Sequence, residues 1–136
     1  MSLVQHALDV AKKHYSEKDY SHAIAVMVYV KNNPFVRPDI MERCVCLALM
    51  HDLLEDTDYE FEFDVWNERV YKCLRLLTRY EGQDYMDYIK EIKDNAVAYP
   101  EAYWVKIADI KDHLSRKETL TKRLKDKYIE ALAYLL

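Results

Sequence analysis

Residues 47–60 read LALMHDLLEDTDYE, an apolar run that ends abruptly in His51, Asp52, Glu55, Asp56 and Asp58. Carried on as a helix, this stretch puts His51 and Glu55 on one face and Asp52 and Asp56 beside them, because four residues advance about 40° past a full turn. Like charges four residues apart repel, and acids near a helix C-terminus oppose its dipole. Propensity and capping therefore do not account for the cluster. Two explanations remain: a solvated acidic helix end, or a bound divalent cation that supplies the missing positive charge.

The rest of the chain sets the frame for that choice. Its 136 residues are enough for one domain, 1–136, that buries roughly two thirds of the surface its unfolded form exposes. One Gly and three Pro leave little material for turns, so most residues must lie in long elements, and an all-α bundle is expected. A net charge of −4 with both signs interleaved excludes a surface that tracks nucleic acid and a polybasic membrane patch. Cys44, Cys46 and Cys73 read as reduced core thiols, and the CxC pair points to opposite sides of a helix, unsuited to clamping an ion. The first residues lack a signal-peptide pattern and the apolar run 44–50 is too short to span a bilayer, so the cytoplasm is the expected compartment. Nothing in the sequence addresses oligomeric state.

Helical spacing of Leu3, Ala7, Val10 and Ala11 predicts a first helix to about His14, with Ser2 as N-cap. A polar turn, SEKD, precedes a second helix over 22–32 capped by Ser21 or Asp19 and stopped by NNP. Pro38 and Asp39 begin a third that reaches the acidic cluster. A fourth is expected over 63–80, broken near Gly82; a fifth over 84–94; a sixth from Pro100 through YWVKIADIKDHL; and a last over 120–136.

A metal site needs three or four ligands, and His51 with Asp52 supplies two. Two further groups qualify. His22, at the start of the second helix, shares a face with Ala25, Val26 and Tyr29, where a satisfied boundary histidine is the ordinary alternative. Asp109 lies between Ile107 and Ile110, and a buried carboxylate is costly unless paired or coordinated. Lys106, three residues earlier, is its ordinary partner.

Taken in order, His22, the His51–Asp52 pair and Asp109 resemble the H…HD…D signature of the HD superfamily of metal-dependent phosphohydrolases. HDLLEDTD is similar to the HDxxEDT motif of the Rel/Spo-type hydrolases, which remove the 3′-pyrophosphate from guanosine tetra- and pentaphosphate. VKIADIKDHL resembles their VKLAD…N segment, ALDVAKKH their opening helix, and LTRYEGQDYMDYI a stretch of small stand-alone members. The resemblance implies His22, His51, Asp52 and Asp109 as ligands of one divalent ion, usually manganese in that group. It also implies Glu55 and Asp56 as the pair that positions and deprotonates the attacking water. Two imidazoles and two carboxylates suit manganese, iron or zinc alike.

The sequence also departs from that pattern. Between His14 and His22 it has only YSEKDYS, where the family carries a basic, glycine-containing loop that helps hold the purine and phosphates. His113 stands where an asparagine is usual, as a phosphate donor, a general acid or an exposed helical histidine. Lys106 and Arg79 are the cations best placed to neutralise phosphate charge, ahead of Thr78, Arg116, Tyr85 and Tyr88. His6 and His14 read as structural or surface groups. The function expected is metal-dependent hydrolysis of a small nucleotide, with a guanosine alarmone as first choice. The alternatives are pyrophosphate or monoester hydrolysis of another nucleotide, or a helical nucleotide-binding module without turnover.

Overall fold

The computed structural model describes residues 2–136 and is all-helical, with no strand among them. Helix α1 (Leu3–His14) starts as expected, the Ser2 hydroxyl accepting the Gln5 N–H at 3.0 Å, and carries Lys12, Lys13 and His14 in its last turn, where cations suit the dipole. Helix α2 (Glu17–Lys31) starts earlier than its spacing predicts. Ser16, not Ser21 or Asp19, is the cap, accepting the Asp19 N–H at 3.2 Å, and Glu17 and Asp19 occupy the first turn, where negative charge is favoured. SEKD is thus a helix entry, and His22 lies in the second turn rather than at the start.

A 3-10 turn (Pro38–Ile40) leads into α3 (Met41–Met50), whose residues from Cys44 to Met50 are all buried. This helix is the axis of the protein: α1, α2, α5 and α7 all pack against it, which is why it is apolar on every side. It ends at Met50. The acidic cluster does not continue it, because Asp52 leaves helical geometry at φ −102° and ψ 1°, and a single-turn helix α4 (Leu53–Asp56) follows. The break takes the acids off the C-terminal end of α3. Thr57 closes the turn, its backbone N–H and hydroxyl both donating to the Leu53 carbonyl.

Helix α5 (Glu68–Leu76), capped by Asn67, is shorter than the expected 63–80, since residues 57–67 run as an irregular segment. Gly82 takes φ +82°, a conformation that favours glycine, and turns the chain into α6 (Tyr85–Asp94), whose first N–H groups the Asp84 carboxylate accepts. Helix α7 (Pro100–Ser115) and α8 (Lys122–Leu135, capped by Thr121) complete the chain. The three thiols are free and buried, as expected, and burial pushes each up to about 12. No helix is long and apolar enough to cross a membrane among the described residues.

The core forms two clusters. The larger surrounds α3; the smaller joins Tyr88, Ile89 and Ile92 of α6, Ile107 and Ile110 of α7, and Ala131 and Leu135 of α8. Helix α7 belongs to both. It is tied to the first by Glu101, whose fully buried carboxylate accepts from Arg43 on α3 at 2.8 Å and, through both oxygens, from Arg69 on α5 at 2.7 and 2.8 Å. Burial opposes this charge, but the two guanidiniums prevail and hold the carboxyl at about 2.

A group so depressed contributes stability that is present above the ordinary glutamate value and lost as pH falls through about 2. Glu101→Gln is therefore expected to lower unfolding free energy at pH 7 by about 2–4 kcal/mol. The gap to wild type should narrow steadily as pH falls below about 4.5, measured by urea unfolding across a pH series.

Candidate metal centre

Helices α2, α3 and α7 pack on one another, and where they meet they bring together the four groups singled out in the sequence. His22 Nε2 lies 2.8 Å from Asp109 Oδ1 and 3.9 Å from Asp52 Oδ2. His51 Nε2 lies 3.2 Å from each of the same two oxygens. One donor atom from each residue falls within 4.8 Å of all the others. Donors about 2.1 Å from a common ion stand roughly 3 Å apart when adjacent and roughly 4 Å when opposite, so these spacings fit a single divalent cation.

Each of the four groups is held by a neighbour. The Ala48 carbonyl, which can only accept, lies 2.7 Å from His51 Nδ1, so that nitrogen carries the proton and Nε2 faces the site. The Tyr15 hydroxyl accepts the Asp52 N–H at 3.1 Å and pins the turn that presents its carboxylate. Lys106 does pair with Asp109, at 2.7 Å, but through Oδ2, which leaves Oδ1 to the imidazoles. His22 Nδ1 lies 2.6 Å from Asp112 Oδ2, on the side away from the other donors.

Burial works against every charge here and is overcome by the neighbours. Lys106 and His51, with His113 and His22, hold the Asp109 carboxyl well below the usual range. Asp52 and Asp109 raise His51 well above an ordinary histidine, and Asp109 with Asp112 raises His22. Without a cation the two carboxylates thus draw protons onto the imidazoles. A divalent ion would replace those protons.

Three of the four, His22, Asp52 and Asp109, line a cavity of about 450 Å³ whose walls come from helices of both core clusters, while His51 is buried. Glu55 and Asp56 lie on its rim, exposed, with carboxyl groups raised by partial burial and by Asp52 beside them. Of the expected substrate contacts, Lys106, Arg79, His113, Arg116, Tyr85 and Tyr88 line it, whereas the Thr78 hydroxyl turns back to the Leu74 carbonyl. His113 is not simply an exposed histidine: its Nε2 lies 3.2 Å from Asp109 Oδ1, and its ring stacks on Tyr128 at 4.8 Å. His6 and His14 pair elsewhere, with Glu62 and Asp58.

Lys18, Lys127, Tyr128 and Asp112 were not singled out in the sequence. Helical phase gives a sign for one: Asp112 follows Asp109 by three residues and so shares its face. The cations of α8 give none, because that helix meets the cavity only through the tertiary fold. No known family model matches this chain, and no curated protein does. The likeness to HD-type hydrolases therefore rests on the helical fold and on these four residues, which are compatible with an HD domain.

Manganese or zinc is expected to raise the thermal midpoint of the wild type, an excess of about a hundred times Kd adding roughly 2.7 kcal/mol. Asp52→Ala should abolish that rise and the calorimetric binding signal. Equal stabilisation of both proteins would remove Asp52 from the site.

Proposed function

We propose that the protein is a metal-dependent phosphohydrolase acting on a small nucleotide. One observation carries this: His22, Asp52 and Asp109 of the four-donor group line a cavity that Lys18, Arg79, Lys106, Arg116 and Lys127 also line, in a chain of net charge −4. A divalent ion at the group would polarise a phosphoryl oxygen and lower the pKa of a bound water.

The chain's own residues supply the rest. Glu55 and Asp56, whose carboxyls burial and the neighbouring Asp52 raise, would accept a proton from the attacking water and orient it. Lys106 is committed to Asp109 and Arg116 to Asp112, but Lys18, Arg79 and Lys127 have no carboxylate within ion-pair distance among the described residues. Around the Tyr85 ring stand Lys127 at 4.1 Å and Arg79 and Lys106 at 5.7 Å each. Burial and then this crowding of positive charge push the Lys127 ammonium down. The Tyr85 hydroxyl is buried without a hydrogen-bond partner among the described residues. Such a wall suits a polyanion, and the stacked His113–Tyr128 pair offers an aromatic face to a base.

By resemblance of HDLLEDTD and VKIAD, the substrate proposed first is guanosine 3′,5′-bis(diphosphate), losing its 3′-pyrophosphate. A second reading, hydrolysis of another nucleotide's pyrophosphate or monoester, is favoured by the connection between α1 and α2. It is only Tyr15 and Ser16, too short for a loop that reaches over the cavity, so the cations come from α2, α7, α8 and the segments after α5 and α7.

A panel of alarmones, nucleoside triphosphates and monophosphates with manganese separates the two: pyrophosphate released from the alarmone supports the first, pyrophosphate or orthophosphate released from another nucleotide the second. Turnover of no nucleotide in the panel by metal-loaded protein contradicts both. Glu55→Gln should keep its metal and lose about a hundredfold or more in kcat; unchanged turnover would remove Glu55 from the reaction. Lys127→Ala is expected to raise KM several-fold, to about tenfold, without altering metal affinity.

A further inference from the structure

Both imidazoles of the metal group turn Nε2 toward the other donors and engage Nδ1 behind, but with different partners. For His51 the partner is a carbonyl of its own helix, fixed by the backbone. For His22 it is the side chain of Asp112, ninety residues away on α7, at 2.6 Å. Asp112 is 4% exposed, and the same Oδ2 accepts from Arg116 Nε at 2.6 Å. The Ser115 hydroxyl donates to the Asp112 backbone carbonyl at 2.7 Å.

A buried carboxylate needs a partner, and Arg116 alone would satisfy Asp112 in an ordinary pair one helical turn on. Its placement against His22 Nδ1 needs a different reason. Asp109, Asp112 and His113 share one face of α7, with Arg116 just past its end, so the same helix supplies a metal-type donor to one side of the His22 ring and a carboxylate to the other. An imidazole between two such groups is fixed in rotation. Its tautomer is decided by whichever acceptor is no ligand.

We infer that Asp112 is a positioning residue of the metal centre, holding His22 with its proton on Nδ1 and its Nε2 lone pair aimed at the space shared with His51, Asp52 and Asp109, while Arg116 fixes the carboxylate. The inference rests on the proposed metal centre. Asp112 touches neither ion nor substrate and acts through His22. Partners of this kind typically govern metal affinity about ten- to a hundredfold.

The test compares wild type, Asp112→Asn and Asp112→Glu by zinc calorimetry and by long-range proton–nitrogen NMR of zinc-loaded, histidine-labelled protein. Asparagine keeps the shape but loses the charge, and its amide can turn to donate to Nδ1, which favours the wrong tautomer. Zinc affinity should fall about ten- to a hundredfold in Asp112→Asn and recover in part in Asp112→Glu, with His22 of the wild type protonated on Nδ1. Affinity within about twofold of wild type in Asp112→Asn, with the His22 tautomer unchanged, overturns the inference and leaves the metal centre standing. Coordination of zinc through His22 Nδ1 in the wild type overturns it as well, whatever the variants do. Absence of zinc binding by the wild type overturns the proposed function and this inference together.

Discussion

A carboxylate only 3% exposed, at the junction of three helices, sets the terms for everything around it. Asp109 cannot remain charged in that place without partners. Lys106 answers one oxygen, and His22, His51 and His113 converge on the other. Lys106 and His113 lie on α7 with Asp109, within one turn of it, and need no fold. His22 and His51 come from α2 and the turn after α3, and reach Asp109 only when those helices dock. Apolar packing brings the helices together, and the charge at their junction determines which side chains that packing must present.

The end of α3 follows from the same electrostatics. Acids on the last turn of a buried helix face a dipole of the wrong sign and have no water to dissipate the cost. Breaking the helix at Asp52 moves Glu55 and Asp56 onto a separate turn at the cavity rim, where they are solvated, and leaves Asp52 inward with its N–H on Tyr15. One break thus sorts the acids into a half-buried donor and two exposed groups. On the opposite wall, Arg79 and Lys127 crowd around Tyr85 without carboxylate partners, so the cavity carries negative charge at its floor and positive charge on its sides. The proposed cation and polyanion would satisfy both.

Most of the helical order and the four donors were legible in the sequence, because they depend on local rules. Ser2 capping α1 and Pro100 opening α7 follow from hydrogen bonding and φ restraint within a turn. His22, His51, Asp52 and Asp109 stand out as metal-type residues on strongly apolar faces. The misplaced start of α2 had a local cause: Ser16, Asp19 and Ser21 all fit a cap within two turns, and propensity does not rank them. The break after Met50 was hidden because an apolar run followed by acids carries no glycine or proline to mark it. Long-range contacts left no trace of their own: Asp112 against His22, Glu101 between two arginines and Lys127 over Tyr85 join residues far apart in the chain. Their side chains read, one at a time, as surface charge.

The proposed function requires that one divalent ion be shared by His22, His51, Asp52 and Asp109. Anomalous diffraction at the manganese edge, from crystals of the wild-type protein grown with manganese, tests it directly. One strong peak is expected within about 2.0–2.5 Å of His22 Nε2, His51 Nε2 and a carboxylate oxygen of each aspartate. A fully loaded crystal with no peak there, or with manganese held by Glu55 and Asp56 alone, would contradict it.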